Sequence, residues 1–336
     1  MEVCMVSINE DELKKLVVQR LLEVDIPRKD AEVIADVLVF ADLRGVHSHG
    51  VLRVEHYVNR IKSGGMNRNP ELRVEMLKPS IGLVDAQGGA GHVTTRFACA
   101  EAIKLAGTEG ICMMGIRNNS HCGALAYYVQ MALNAGMAAM VMVNTDACVV
   151  PFGGRQAFFG TNPFAFGFPG KKESILLDMA TSEVAFGKIF YAREKEQPIP
   201  AGWAVDSRGN PTTDPNAAKS LFPFGGAKGY GINIMVEALT GLMIGGVFGP
   251  HLTKMYGDMD KSRDLSNFIL VIDPAVFGGD AYLETTQRMI DELHSQAPAE
   301  GFSRVMIPGE IENQTMQKSR REGISIPQGV YEYLAG

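Results

Sequence analysis

ICMMGIRNNSHCGALAYYVQMALNAGMAAMVMVNT, residues 111–145, changes its periodicity three times. Ile111–Ile116 is a short apolar run that reads as a buried strand, and Asn118-Asn119-Ser120-His121 is a polar turn. Ala124–Asn134 then reads as an uncharged helix with Asn119 or Ser120 as its N-cap. Gly136 separates it from a second apolar strand, Ala138–Val143. Strand, turn, helix and strand in that order form the repeating unit of an α/β protein. The part from Cys122 to Thr145 carries no Asp, Glu, Lys or Arg and so imitates a membrane span. Gln130, Asn134 and Gly136 split it into pieces too short for a bilayer core of about 30 Å, which makes it core rather than membrane.

Upstream, the first 63 residues read as helical. Asn9 followed by Glu12 resembles a capping box, and Leu13, Leu16, Val17, Leu21 and Val24 recur at helical spacing. Pro27 breaks the pattern. A second helix is expected over Arg28–Leu43 and a third over Val51–Lys62, stopped by Gly64-Gly65. After Pro70 short strands alternate with helices. Further strands are expected at Ser80–Asp85, Ile175–Asp178, Phe268–Ile272 and Arg304–Ile307. Further helices are expected at Val93–Gly107, Ser182–Arg193, Gly229–Met243 and Tyr282–Gln296. The fold class is therefore α/β, of the mixed α+β kind. Residues 194–215 are rich in turn formers and hold the single Trp, Trp203; they read as a surface loop, with a lid as the alternative.

The chain has 336 residues, 46% of them hydrophobic and 21% charged, which is enough to bury a large core and excludes a disordered chain or a fibre. Lys plus Arg is 32 and Asp plus Glu is 38, a net charge of −6. That acidity is unsuited to nucleic acid or an anionic membrane surface, so neither is an expected partner. Five cysteines without a CxxC pair argue against a disulfide framework or structural zinc. The N-terminus has no apolar signal-peptide region, and the expected compartment is the cytoplasm. Neither G-x-G-x-x-G nor a P-loop nor G-x-S-x-G occurs, so the standard dinucleotide, nucleoside-triphosphate and hydrolase fingerprints are absent.

Three constellations could carry chemistry. In His47-Ser48-His49-Gly50, a helix starting near Gly50 would bring His49, Arg53 and Tyr57 to one face at i, i+4 and i+8. A proton carrier, a fixed planar cation and a phenol suit a small carboxylate substrate; the alternative is an ordinary polar surface helix. His-x-His with His56 also suggests a metal site, but no acidic or thiol ligand lies in register, so no metal is expected. His121, at the end of a strand, lies where α/β sites gather, as do Thr145-Asp146 and Asp178-Met179-Ala180. Gly225–Gly231, with Lys228, leads into an apolar helix and could cradle an anion. His92, His251 and His294 show no partner pattern.

The ordered set HSHG with Arg53 and Tyr57, the Asn118–Gly123 turn, PFGG (151–154), GTNPFAF (160–166), LDMATS (177–182) and KGYG (228–231) resembles the malate/L-lactate dehydrogenase family. The resemblance covers essentially the whole chain. Within that family the stretches VLVFADLRGVHSHGVLRVEHY, VVPFGG, WAVDSRGNPTTDP and PQGVYEYL are most like its ureidoglycolate-oxidising branch. The resemblance implies a non-Rossmann sulfolactate/malate dehydrogenase-like fold with an N-terminal helical region and discontinuous domains. Residues 1–122 plus 229–336 would form the helical, substrate and dimerisation region, and 123–228 the cofactor-binding domain. It implies a homodimer, NAD (with NADP as the alternative), and hydride transfer with a small hydroxy acid. By position, His121 matches the proton acceptor, and Ser48, His49 and Arg53 the substrate and acid/base cluster, with Tyr57 beside them. Thr145, Asp178, Met179, Ala180, Lys228, Gly229 and the Pro308-Gly309-Glu310 turn match cofactor contacts. Thr145 stands where the family has Ser, and Cys122 after His121 is a second departure. Asp146, next to Thr145, is expected to repel a ribose 2′-phosphate and so favour NAD. A metal-dependent hydrolase and a non-catalytic binding protein are the competing classes.

Overall fold

A computed structural model describes residues 4–336. In chain order it contains β1 (Met5–Ile8), α1 (Glu10–Leu22), α2 (Arg28–Leu43), α3 (Val54–Lys62), β2 (Val74–Lys78), β3 (Ile81–Asp85), α4 (Gly91–Glu109) and β4 (Ile111–Asn119). Then come α5 (Ala126–Asn134), β5 (Ala138–Val143), β6 (Phe164–Phe168), β7 (Ile175–Met179), α6 (Phe186–Glu194), β8 (Ala204–Val205), β9 (Pro211–Thr212) and β10 (Ser220–Leu221). The chain ends with α7 (Ala227–Glu237), β11 (Leu265–Ile272), α8 (Ala281–His294), α9 (Glu310–Glu322), β12 (Ile324–Pro327) and α10 (Gln328–Ala335).

A seven-stranded mixed sheet, ordered β2-β3-β4-β11-β5-β6-β7, is the frame. Alternation decides its two faces. Cys112, Met114, Ile116, Val141, Val143, Ala165 and Ile269 face the core shared with α4 and α5. Met113, Met140, Met142, Phe164 and Phe268 face Val236 of α7 and Leu239 just beyond it. Gly167 lets α5 come close, since a Cβ there would stand 2.4 Å from Val129 Cγ1. A second core joins α1, α2 and α3 to the chain's other end, because β1 pairs antiparallel with β12 from Met5↔Pro327 to Ile8↔Ile324.

The pairing directions place the site. β3 is parallel to β4, and β11 is antiparallel to both β4 and β5, so β4 and β5 point the same way. β6 and β7 each reverse direction, which returns β7 to the direction of β5. The carboxyl ends of β4, β5 and β7, carrying Asn119, Val143 and Met179, therefore lie on one edge of the sheet.

Several expectations change. Arg304–Ile307 is not a strand; its neighbour Pro308 accepts from Leu176 N–H, and the Pro308-Gly309 turn into α9 leaves no run long enough for a ladder. The first 63 residues include the strand β1, and the third helix starts at Val54 rather than Val51. The helix expected from Ser182 begins at Phe186. Residues 204–221 form a three-stranded sheet, β10-β8-β9, with Ala204, Val205 and Leu221 buried. In the main sheet β11, from beyond residues 123–228, lies between β4 and β5.

Candidate active site

The HSHG segment is shaped by Asp42, a buried carboxylate near the end of α2. One oxygen meets His47 Nδ1 at 2.8 Å and the other accepts Val51 N–H at 2.7 Å. Gly50 passes directly over this carboxylate: a Cβ there would lie 2.1 Å from Asp42 Oδ1, so any other residue would push the segment away. Clamped on both sides of Gly50, the chain makes two 3₁₀ turns, His47–His49 and Val51–Arg53, and only then enters α3. The i, i+4, i+8 spacing is thus not what joins His49, Arg53 and Tyr57; the doubled turn is. Burial raises the Asp42 carboxyl, and its bond to His47 raises the imidazole.

His121 follows β4 in a turn packed against the start of α4, where a Cβ on Gly91 would stand 2.2 Å from Ser120 O. Its ring stacks on His49, with centroids 5.5 Å apart and planes 20° apart. The buried Tyr57 hydroxyl lies 2.7 Å from His121 Nδ1, and Gly123 N–H donates to the same nitrogen at 3.3 Å. Nε2 has no protein partner among the described residues, so the turn presents one imidazole nitrogen to the pocket. Ser48 Oγ is 3.0 Å from His49 Nδ1, and Arg53 Nε donates to Ser48 O at 2.8 Å. The structure thus brings Ser48, His49, Arg53, Tyr57 and His121 together.

The electrostatics have one sign. Desolvation first, then the positive charge of Arg53, lowers His49 to about 4. Desolvation, with His49, Arg53 and Arg263, holds His121 well below its ordinary value, and burial raises the Tyr57 phenol. Both shifts favour the neutral imidazoles, beside the Arg53 guanidinium. Among the described residues no group of His, Cys, Asp and Glu side chains converges as a metal site.

Sequence reasoning missed three members of this cluster. His92, in the first turn of α4, is fully buried with its ring 5.0 Å from Tyr57 and 6.3 Å from His121. Tyr256 accepts a hydrogen bond from Arg53 Nη1. Arg263 is buried behind them. A lone histidine and two residues of an aperiodic loop give no local signal; only the fold assembles them. Cys122 turns the other way, into the core, where Asn267 donates to its sulfur at 3.6 Å and burial pushes the thiol up to about 12.

On the other side of the shared sheet edge, Thr145 Oγ1 lies 3.3 Å from Thr161 Oγ1, and Thr145 N–H donates to Asn162 Oδ1 at 3.0 Å. Asn162 also donates to Glu237 Oε2 (2.6 Å) and Asn233 (2.8 Å), while Asn144 donates to Glu237 Oε1 at 3.3 Å. This buried network locks α7 to the end of β5 and fixes where Lys228, exposed in the first turn of α7, stands. Gly229 is obligatory there, since a Cβ would lie 1.7 Å from Phe224 O. The first-turn N–H groups of this 11-residue helix, the positive-φ pair Gly225-Gly226 and Lys228, which has no ion pair among the described residues, fit a phosphate-bearing group. Asp178, just ahead of Met179-Ala180, accepts Ala126 N–H at 2.8 Å, which ties the end of β7 to α5 directly after the His121 turn.

Two of the residues expected at the cofactor have carboxylates engaged within the protein. Asp146 does not present a free carboxylate to a ribose: Oδ1 pairs with Arg263 Nη2 at 2.5 Å and Oδ2 accepts Met255 N–H at 3.2 Å. Its charge is matched by the buried arginine, so it carries no argument about a 2′-phosphate. The Glu310 carboxylate is likewise occupied, by Arg304, by His294 at 3.1 Å and by Ile307 N–H at 3.2 Å. Only the backbone of the Pro308-Gly309-Glu310 turn is left to meet a ligand. A cavity of about 750 Å³ opens beside this turn, between α5 and α9, and none of the seven histidines lines it.

The arrangement is that of an oxidoreductase site, with paired neutral imidazoles and an arginine on one side and a helix N-terminus with lysine on the other. The family model for malate/L-lactate dehydrogenase matches residues 8–335, and the chain belongs to that family of 2-hydroxy acid dehydrogenases. It is similar to the ureidoglycolate dehydrogenase (NAD(+)) of Escherichia coli strain K12, 40% identical over 98% of this chain and 95% of that protein. Among solved structures it is similar to sulfolactate dehydrogenase from Methanocaldococcus jannaschii (TM-score 0.92, 35% identity, 98% and 95% of the chains). It is also similar to malate dehydrogenase from Pyrococcus horikoshii OT3 (TM-score 0.89, 34% identity, 100% and 96%).

Proposed function

We propose that this protein oxidises (S)-ureidoglycolate to oxalurate with NAD, acting as a cytoplasmic homodimer. The observation that carries the reading is the stacked His49–His121 pair, with His121 held at Nδ1 by Tyr57 and Arg53 one turn away. The full-length similarity to an NAD-dependent ureidoglycolate dehydrogenase supports the substrate and the cofactor; the sulfolactate and malate dehydrogenases are similar enough to make those acids the second reading.

Arg53 binds the substrate carboxylate through its planar fork. In the tautomer that carries its proton on Nδ1, given to the Tyr57 oxygen in place of the long Gly123 N–H contact, Nε2 of His121 takes the proton of the substrate hydroxyl. The carboxylate offsets the charge of Arg53, so His121 gains proton affinity when substrate arrives. Ser48 and His49 line the same oxygen and relay the proton. When bound, the nicotinamide supplies the hydride acceptor. Lys228 and the α7 N-terminus would hold its phosphates, and Thr145, Asp178, Met179, Ala180, Gly229 and the backbone of Pro308–Glu310 would supply its further contacts. The test is His121→Gln: kcat for the hydroxy acid should fall about 10²–10⁴-fold with NADH binding retained. A loss under about tenfold would remove His121 from the proton step.

A further inference from the structure

Tyr256 is 67% exposed, yet the loop that carries it is held from two sides. Arg60, fully buried on α3, donates to the carbonyls of Met255 (3.0 Å) and Lys261 (2.7 Å) and, at longer range, to those of Lys254, Gly257 and Asp258. From the other side Asp146, one residue past Thr145, accepts Met255 N–H and pairs with Arg263. A surface tyrosine without a ligand needs no such scaffold. Its ring packs edge-on to His56 at 5.3 Å, and its hydroxyl reaches the guanidinium assigned above to the substrate's carboxylate.

We propose that Tyr256 is a substrate-binding residue, its hydroxyl sharing Arg53 with the carboxylate of the bound acid and donating its own proton to that carboxylate. An arginine can only donate, so in the Arg53–Tyr256 bond the phenol oxygen accepts and the O–H proton is left to give. Arg53 and Tyr256 thus form one donor set for a carboxylate, mounted on two segments more than two hundred residues apart and fixed to each other by Arg60. This inference rests on the dehydrogenase reading and assigns it a further contact.

The experiment compares wild type with Tyr256→Phe, which keeps the ring on His56 and removes only the hydroxyl. KM for the hydroxy acid and, by calorimetry, Kd for the unreactive carboxylate oxamate should each rise about tenfold. KM for NAD should stay within about twofold, a split that a merely structural residue would not produce. Wild type turning over a hydroxy acid, with Tyr256→Phe unchanged in both KM and oxamate binding, would overturn the Tyr256 assignment alone. A parallel loss of NAD affinity would also overturn it. Wild type that neither turns over a hydroxy acid nor binds oxamate would overturn the dehydrogenase reading and this assignment with it.

Discussion

His121 must be unprotonated to accept a proton, yet it must hold that proton once taken, and its surroundings change between the two moments. Before substrate, Arg53 and Arg263 bias it toward the neutral ring. A bound carboxylate cancels part of that bias. Because oxidation needs the neutral imidazole, activity is lost as pH falls through its pKa. The acid limb of kcat/KM, which reports the free enzyme, should therefore lie well below the ordinary imidazole range, and the limb of kcat, which reports the complex, at higher pH. Coincident limbs would mean that the carboxylate does not bind beside His121. At this scale the sequence was informative wherever a residue sat in a short motif: Ser48, His49, Arg53, Tyr57 and His121 come from two such stretches. His92, Tyr256 and Arg263 became visible only when β11 and the loop before it were folded against β4 and α3. Asp146 shows the opposite limit, since its position suggested a cofactor contact and gave no sign of the buried arginine, 117 residues away, that pairs with it.

Elements with strong internal periodicity were legible, as α1, α2, α4, β5 and α8 show. The losses have physical causes. β1 and β12 are four residues each and exist because they pair with each other across the whole chain. β6 runs through Gly167, whose missing side chain serves the packing of α5 and breaks the apolar pattern that would announce a strand. α9, whose sequence is almost entirely polar, offered no apolar stripe to find. α7 continues past Glu237 as a π-helical turn, Ala238–Leu242, and one side of this unit leaves Ile234, Met235, Leu242 and Met243 exposed. A contiguous apolar face of this kind suits the proposed subunit contact. Light scattering should give twice the chain mass of 36.4 kDa, and Leu242→Lys with Met243→Lys should shift it toward one. A wild-type monomer at micromolar concentration would contradict the homodimer.

For the whole molecule, the sheet order explains why a site could be sensed from sequence without its depth being known. Polar residues after β4, β5 and β7 were readable one by one, and the insertion of β11 between β4 and β5 makes those three ends point the same way. That insertion joins residues some 150 positions apart, and no local pattern announces it. The same crossing brings Arg263 to the site's edge and sets α7, with Lys228, opposite the histidines' strand. The roles proposed for His121, His49 and Arg53 concern the carboxylate and the hydroxyl and do not select the side group of the acid. The most direct measurement is the rate of NADH formation by the purified protein with ureidoglycolate, malate, sulfolactate and lactate, each with NAD and with NADP. The expected result is a kcat/KM for (S)-ureidoglycolate with NAD at least tenfold above every other pair; a higher value for malate or sulfolactate would contradict the ureidoglycolate reading, and no reduction with any of them would contradict the proposed dehydrogenation.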